Sequence, residues 1–328
     1  MRKRSSVKSC EYPTSNVFYL YSQCIDAFVG RNEPDAAQRA QATVDRMMQL
    51  YAKGLGHVRP TRPVFDVLIQ AWSRSKEKYA AQNAEKIFHW MENQYNQAGD
   101  ALVRPNEITL CAVLNAWANQ AENGGAARAL QIWDHTNSVA TQSDIGFRST
   151  IAMANVVIKA IARSKDIDAV VKAEGVLLKL EDDFRSGTSY VRPDVTTYSS
   201  VINACAYCVG NAAKRTEALE TALRTFYKLY NMKEENANNI TYGTVLKAIQ
   251  NLMPISEERI ELVRQIFDMC CEDGCVDYFV LSQVRFASPQ LYRDLVEGPC
   301  GLGGPGLKYG FDAVLKNIPT EWTANTLD

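Results

Sequence analysis

Short polar side chains recur at one register of the chain. Ser22, Asp66, Asn155 and Ser199 belong to a series completed by Cys111 and Gly243, with spacings of 44, 45, 44, 44 and 44 residues. Each follows a residue on the apolar stripe of its helix, so it points about 100° away from that stripe. Hydroxyl, carboxylate and amide groups displayed in this way can hydrogen-bond the edge of a nucleobase, or can simply solvate a helix. Cations keep similar step: Lys159 and Lys247 lie five residues past Ala154 and Tyr242, and Arg74 and Arg163 lie nine past Phe65 and Ala154. Basic side chains aligned with a polar row suit phosphate contacts. Taken singly, each serves equally well as a surface solvator.

Other chemistries have weaker signals. Cys205 and Cys208 form a CxxC, and Cys270, Cys271 and Cys275 cluster, but a zinc site needs a second matched pair, and His57, His89 and His135 stand far apart without ligand spacing. The nine cysteines are mostly embedded in apolar helical pattern, as Cys24, Cys111 and Cys205 are, which fits buried reduced thiols in a non-oxidising compartment. GPCGLGGPG, from Gly298, lacks the Lys-Ser/Thr and helix pattern of a phosphate loop. We expect no enzyme, no metal, no cofactor and no small-molecule substrate.

With 46% apolar and 22% charged residues the chain has material for a large core. Its 36 basic and 37 acidic residues nearly cancel, so electrostatic binding must come from local patterning. The longest apolar run near the middle, IAMANVVIKAIA, carries Asn155 and Lys159 and is too short to span a bilayer, so no membrane partner is expected. The basic tail, residues 1–15, reads as a solvated end, with the remnant of an organelle-targeting segment as the alternative.

The elements that position these residues repeat. Arg59, Arg104, Arg148 and Arg192 are 45, 44 and 44 residues apart, and three sit in Val-Arg-Pro triplets ending at Pro60, Pro105 and Pro193. Tyr21, Phe65, Leu110, Ala154, Tyr198 and Tyr242 follow in step, and Tyr198, Val201, Ile202 and Cys205 form one helical stripe. Pro105-Asn106 and Pro193-Asp194 mark where such helices begin. A second helix carries Ala40, Ala84, Ala129, Ala173, Ala222 and Val263, each followed four residues on by Val44, Phe88, Trp133, Leu177, Phe226 and Phe267. Small beside bulky lets a neighbouring helix approach and fills the gap. Five extra residues before the fifth of these helices predict an irregular connector in NAAKRTE. Helix pairs that cannot bury their faces alone must stack, so the expected fold is an all-α, right-handed α-solenoid of antiparallel helix pairs. Its repeats occupy residues 16–285, followed over 286–328 by a cap in which Trp322 docks on the last repeat.

PDVTTYSSVINACA, with a second helix of the type AEKIFHWM, resembles the pentatricopeptide repeat over about four fifths of the chain. Units of about 44 residues are longer than the family's usual ones and look like those of algae and other protists, the excess falling in the second helix and the loop after it. The resemblance implies single-stranded RNA binding, one base per repeat, in a mitochondrion or plastid, or otherwise in the cytoplasm. It pairs the residue after each first-helix stripe position with the last residue of the repeat: Ser22 with Thr61, Asp66 with Asn106, Cys111 with Thr150, Asn155 with Asp194, and Ser199 with Asn238. Gly243 opens a sixth pair whose partner is unplaced. By the same correspondence Asn155 with Asp194 resembles a uracil reader and Ser199 with Asn238 an adenine reader, giving an inner UA, while Asp66, Cys111 and Gly243 depart from the readable set. Arg74, Lys159, Arg163 and Lys247 are the phosphate candidates. The alternative is a protein-interaction solenoid that grips a peptide or a partner subunit on its concave face.

Overall fold

The computed structural model describes residues 21–326 except scattered positions between 22 and 34 and the stretches 141–148, 233–234 and 298–317. Ser22, Asp26 and Arg148 lie outside the described residues. Among the described residues, thirteen α-helices follow the helical positions Tyr21, Gln23, Cys24, Ala27, Phe28 and Gly30: α1 (Ala36–Ala52), α2 (Arg62–Arg74), α3 (Ala80–Ala98), α4 (Glu107–Ala118), α5 (Gly125–Ala140), α6 (Ile151–Arg163), α7 (Ala169–Arg185), α8 (Val195–Ala206), α9 (Ala212–Tyr230), α10 (Asn239–Leu252), α11 (Glu257–Glu272), α12 (Tyr278–Ala287) and α13 (Pro289–Glu297). There is no strand among the described residues.

The helices form two compact units, residues 1–120 with 143–148, and residues 121–142 with 149–328. In the first, α2 packs against α1, α3 and α4, and α3 against α4. In the second, α6, α8, α10 and α12 stack in succession, with α7, α9 and α11 each wedged between its own first helix and the next. This is the packing of a helical repeat.

The small-and-bulky register of the second helices does what its chemistry suggests. Ala40, Ala84, Ala129, Ala173, Ala222 and Val263 are fully buried, and the bulky residues four positions on are nearly so. Phe226 meets Tyr242 edge-on at 5.5 Å, and Phe65 lies 5.0 Å from Trp90. Removing such an aromatic would cost about 3–5 kcal/mol.

The repeated Val-Arg-Pro triplet is a helix approach. Val58 and Val103 are buried, as are Pro60, Pro105 and Pro193. Arg59 lies over the Tyr51 ring at 5.2 Å and pairs with Asp100; Arg104 lies over Tyr95 at 4.9 Å. Proline holds the preceding residue out of the helical region, and the residue after it becomes the N-cap. Asn106, Asp194 and Asn238 each close a capping box with Thr109, Thr197 and Thr241.

Two expectations are corrected or extended. NAAKRTE is no irregular connector: Asn211 caps α9, its side chain accepting the Lys214 N–H at 3.0 Å, and the rest forms the opening turns of a 19-residue helix. The second helices run 16 to 19 residues, and connectors of eight to nine residues outside α-helix follow three of them, at 53–61, 99–106 and 186–194. Beyond the sixth pair, α12 stacks on α10, and buried Leu281 takes the place of Tyr242. Trp322 meets Phe267 edge-on at 5.9 Å, and its carbonyl accepts the Val276 N–H at 2.7 Å. Gly274, at φ +68°, is required there: a Cβ would stand 2.9 Å from the Glu321 carbonyl oxygen.

Candidate functional site

The first helices carry the polar register. Every fourth residue from it lies on the same helix face, which defines columns on α2 (Asp66, Gln70, Arg74), α4 (Cys111, Asn115, Asn119), α6 (Asn155, Lys159, Arg163), α8 (Ser199, Asn203, Tyr207) and α10 (Gly243, Lys247, Asn251). The partner positions Thr61, Asn106, Thr150, Asp194 and Asn238 are all N-caps, of α2, α4, α6, α8 and α10. Each therefore has a structural duty before any other, although the side chain of Thr61 makes no cap hydrogen bond.

Three predicted pairs are brought together. Asn155 Nδ2 donates to Asp194 Oδ1 at 3.4 Å, while Asp194 Oδ1 also accepts the Thr197 N–H at 2.8 Å and its hydroxyl at 2.7 Å. Asn155 Oδ1 is buried and has no hydrogen-bond partner among the described residues. The other two pairs are joined through the capping threonine. Ser199 Oγ lies 2.8 Å from Thr241 Oγ1, which donates to Asn238 Oδ1 at 3.0 Å. Thr109 Oγ1 donates to Asp66 at 2.6 Å and lies 3.0 Å from Asn106 Oδ1. Burial pushes the Asp66 carboxyl above its ordinary range, against the lowering effect of the Thr109 hydrogen bond and of Arg62.

Cys111 and Thr150 fall in different units. Burial raises the Cys111 thiol, and Thr150 Oγ1 accepts the Met153 N–H at 3.3 Å. Gly243 is buried beneath the Phe279 ring. The N-cap position equivalent to the other partner positions is Asp277, of α12, which accepts the Val280 N–H at 2.8 Å and the Asn239 amide at 2.8 Å.

The cations are displayed unequally. Arg74, Lys159 and Arg163 are exposed and make no ion pair among the described residues. Lys247 lies 4.3 Å from the centre of the exposed Tyr207 ring and donates to its hydroxyl. Asn119 and Asn251, at the register of Arg74 and Arg163, tie back to the previous first helix, donating to Ser73 O at 2.7 Å and Ala206 O at 2.9 Å. Ile108 and Ile240, three residues ahead of Cys111 and Gly243, are 61% and 52% exposed. The sequence reading passed over these two, though an isoleucine just inside a helix start and off the core stripe is a visible signal.

Burial pushes Cys205 and Cys271 up to about 12 and Cys275 up to about 11, and raises Cys208 and Cys270 too. Among the described residues no three His, Cys, Asp or Glu side chains could hold a metal ion, and no helix is long and apolar enough to cross a membrane. No protein-family model matches the chain, and no curated protein matches it.

Proposed function

We propose that the chain binds single-stranded RNA along its second unit, in the manner of the pentatricopeptide proteins its repeats resemble, as a right-handed solenoid acting in an organelle. The single observation that carries the reading is the α6 column. There a reader and its partner stand in contact, Asn155 with Asp194, and Lys159 and Arg163 lie exposed one and two turns on. Ser199 with Asn238 follows on the neighbouring helix, and Lys247 beside Tyr207 adds a further cation and an aromatic face. Read in chain order, the two pairs favour U and then A.

The test is selection from a randomised single-stranded RNA pool, at two salt concentrations, with the wild type and an Asn155→Ala/Asp194→Ala variant. The expected result is a short motif containing UA that loses its U in the variant and binds more weakly at the higher salt. No enrichment and no salt-sensitive binding would overturn the reading and direct attention to a protein partner.

A further inference from the structure

Gly243 is the one member of the reader row without a side chain, and the space it leaves is filled. A Cβ built there would stand 2.2 Å from Cε1 and 2.4 Å from Cδ1 of Phe279. The backbone does not call for glycine at this point, which lies inside α10 with ordinary helical neighbours. The ring does.

Phe279 stands two residues past its N-cap, Asp277. Its counterparts after the other caps, Pro63, Ile108, Ala152, Thr196 and Ile240, are all exposed, whereas Phe279 is half-buried. A side chain that these five described repeats display outward is turned in here over the preceding first helix. The carboxylate of Asp277 is meanwhile engaged by the Val280 N–H and the Asn239 amide. Asp194 is engaged in the same way by Thr197 and Asn155, so what the sixth pair lacks is the polar group that Asn155 supplies in the fourth.

We propose, resting on the reading that this face takes up single-stranded RNA, that Phe279 is a built-in stop. Its ring closes the sixth position, so Ser199 with Asn238 is the last base-reading pair and the nucleotide 3′ to its adenine goes unread.

Two measurements on the whole chain test this, and only one depends on RNA. The first is thermal unfolding. Gly243→Ala should lower the melting temperature by about 4 °C through overpacking against the ring. On a Phe279→Ala background the same change should be neutral or stabilising, as Gly to Ala inside a helix ordinarily is. A Gly243→Ala loss that persists without the ring overturns the stop.

The second is pool selection with wild type and Gly243→Asn/Phe279→Ala, which sets Asn opposite Asp277 as Asn155 stands opposite Asp194. The wild type should show no preference 3′ to the adenine, and the double variant should acquire a U there. A wild-type preference at that nucleotide, or a variant that keeps UA and gains nothing, overturns the proposal. A wild type that selects no RNA defeats the binding reading, and the stop with it, whereas the thermal result reports on the ring and the glycine alone.

Discussion

In the first unit the described columns read Asp66, Gln70, Arg74 and Cys111, Asn115, Asn119; in the second they read Asn155, Lys159, Arg163, then Ser199, Asn203, Tyr207, then Gly243, Lys247, Asn251, of which Ser199 and Gly243 are buried. Among the described residues the first thus shows one acid and one cation. The second shows three cations and no acid in its columns, against the N-caps Asp194 and Asp277 in its partner row. The hidden residues do not differ in this way: Ala84 and Ala173 are equally buried on second helices, and Asn106 and Asn238 close the same capping box. Packing positions keep an apolar residue in every described repeat, from Phe65 and Leu110 to Tyr242, while the exposed column positions Arg74, Asn115, Lys159 and Arg163 can change charge without loss of fold. The difference in charge between the columns is where binding chemistry is to be sought.

The largest effect expected from this contrast is electrostatic. If Lys159, Arg163 and Lys247 each meet one phosphate, wild-type affinity for single-stranded RNA should fall roughly 20-fold between 50 and 200 mM salt, from a slope of about −0.7 per contact. Replacing all three by Gln should leave binding nearly indifferent to salt, whereas Arg74→Gln should change affinity less than about 2-fold. Titrations at four salt concentrations decide it. A slope lost equally with Arg74→Gln would erase the distinction between the units.

A smaller effect separates the two duties of the N-caps. Asn106→Ala and Asn238→Ala should each destabilise by about 1 kcal/mol in urea unfolding, since each side chain accepts the N–H of the threonine three residues on. Only Asn238→Ala should also relax base preference in pool selection. If both variants, or neither, change the selected motif, the assignment of reading to the second unit is wrong.

Most of the repeat was legible in the sequence because burial imposes period. The register from Ala40 to Val263 and the bulky residues four further on hold their places through six helices, and all are buried. The Pro-Asx starts were legible too, as cap chemistry is local. Asp277 was not. Reader and partner stand 39 residues apart in Asn155 to Asp194 and in Ser199 to Asn238, but 34 apart in Gly243 to Asp277, and no proline precedes the last. NAAKRTE misled by its length: five added residues suggested irregularity, yet Ala, Lys, Arg and Glu are strong helix formers and prolong α9. The turn of Phe279 onto Gly243 joins two packed helices, and such a contact leaves no mark in the local pattern of either.

The smallest effect concerns the acid in the reader row. Burial raises the Asp66 carboxyl above its ordinary value of 3.8, so the folded state holds its proton more tightly than the unfolded state does. The sign follows from linkage. The contribution of Asp66 to stability is fully present below pH 3.8 and is lost as pH rises through the raised folded value. Asp66→Asn keeps an oxygen to accept from the Thr109 hydroxyl and removes the titration. The variant should therefore gain on the wild type as pH rises through the carboxylate range, by a few tenths of a kcal/mol once solvent screening is allowed for. Asn155→Asp should do the reverse in the second unit, where a carboxylate would face Asp194 across the gap the amide now bridges. Urea unfolding of the three proteins from pH 4 to pH 7 measures both. A difference between Asp66→Asn and the wild type that does not change with pH would mean that Thr109 and Arg62 fully offset the burial of Asp66, leaving the two reader rows alike in their titration.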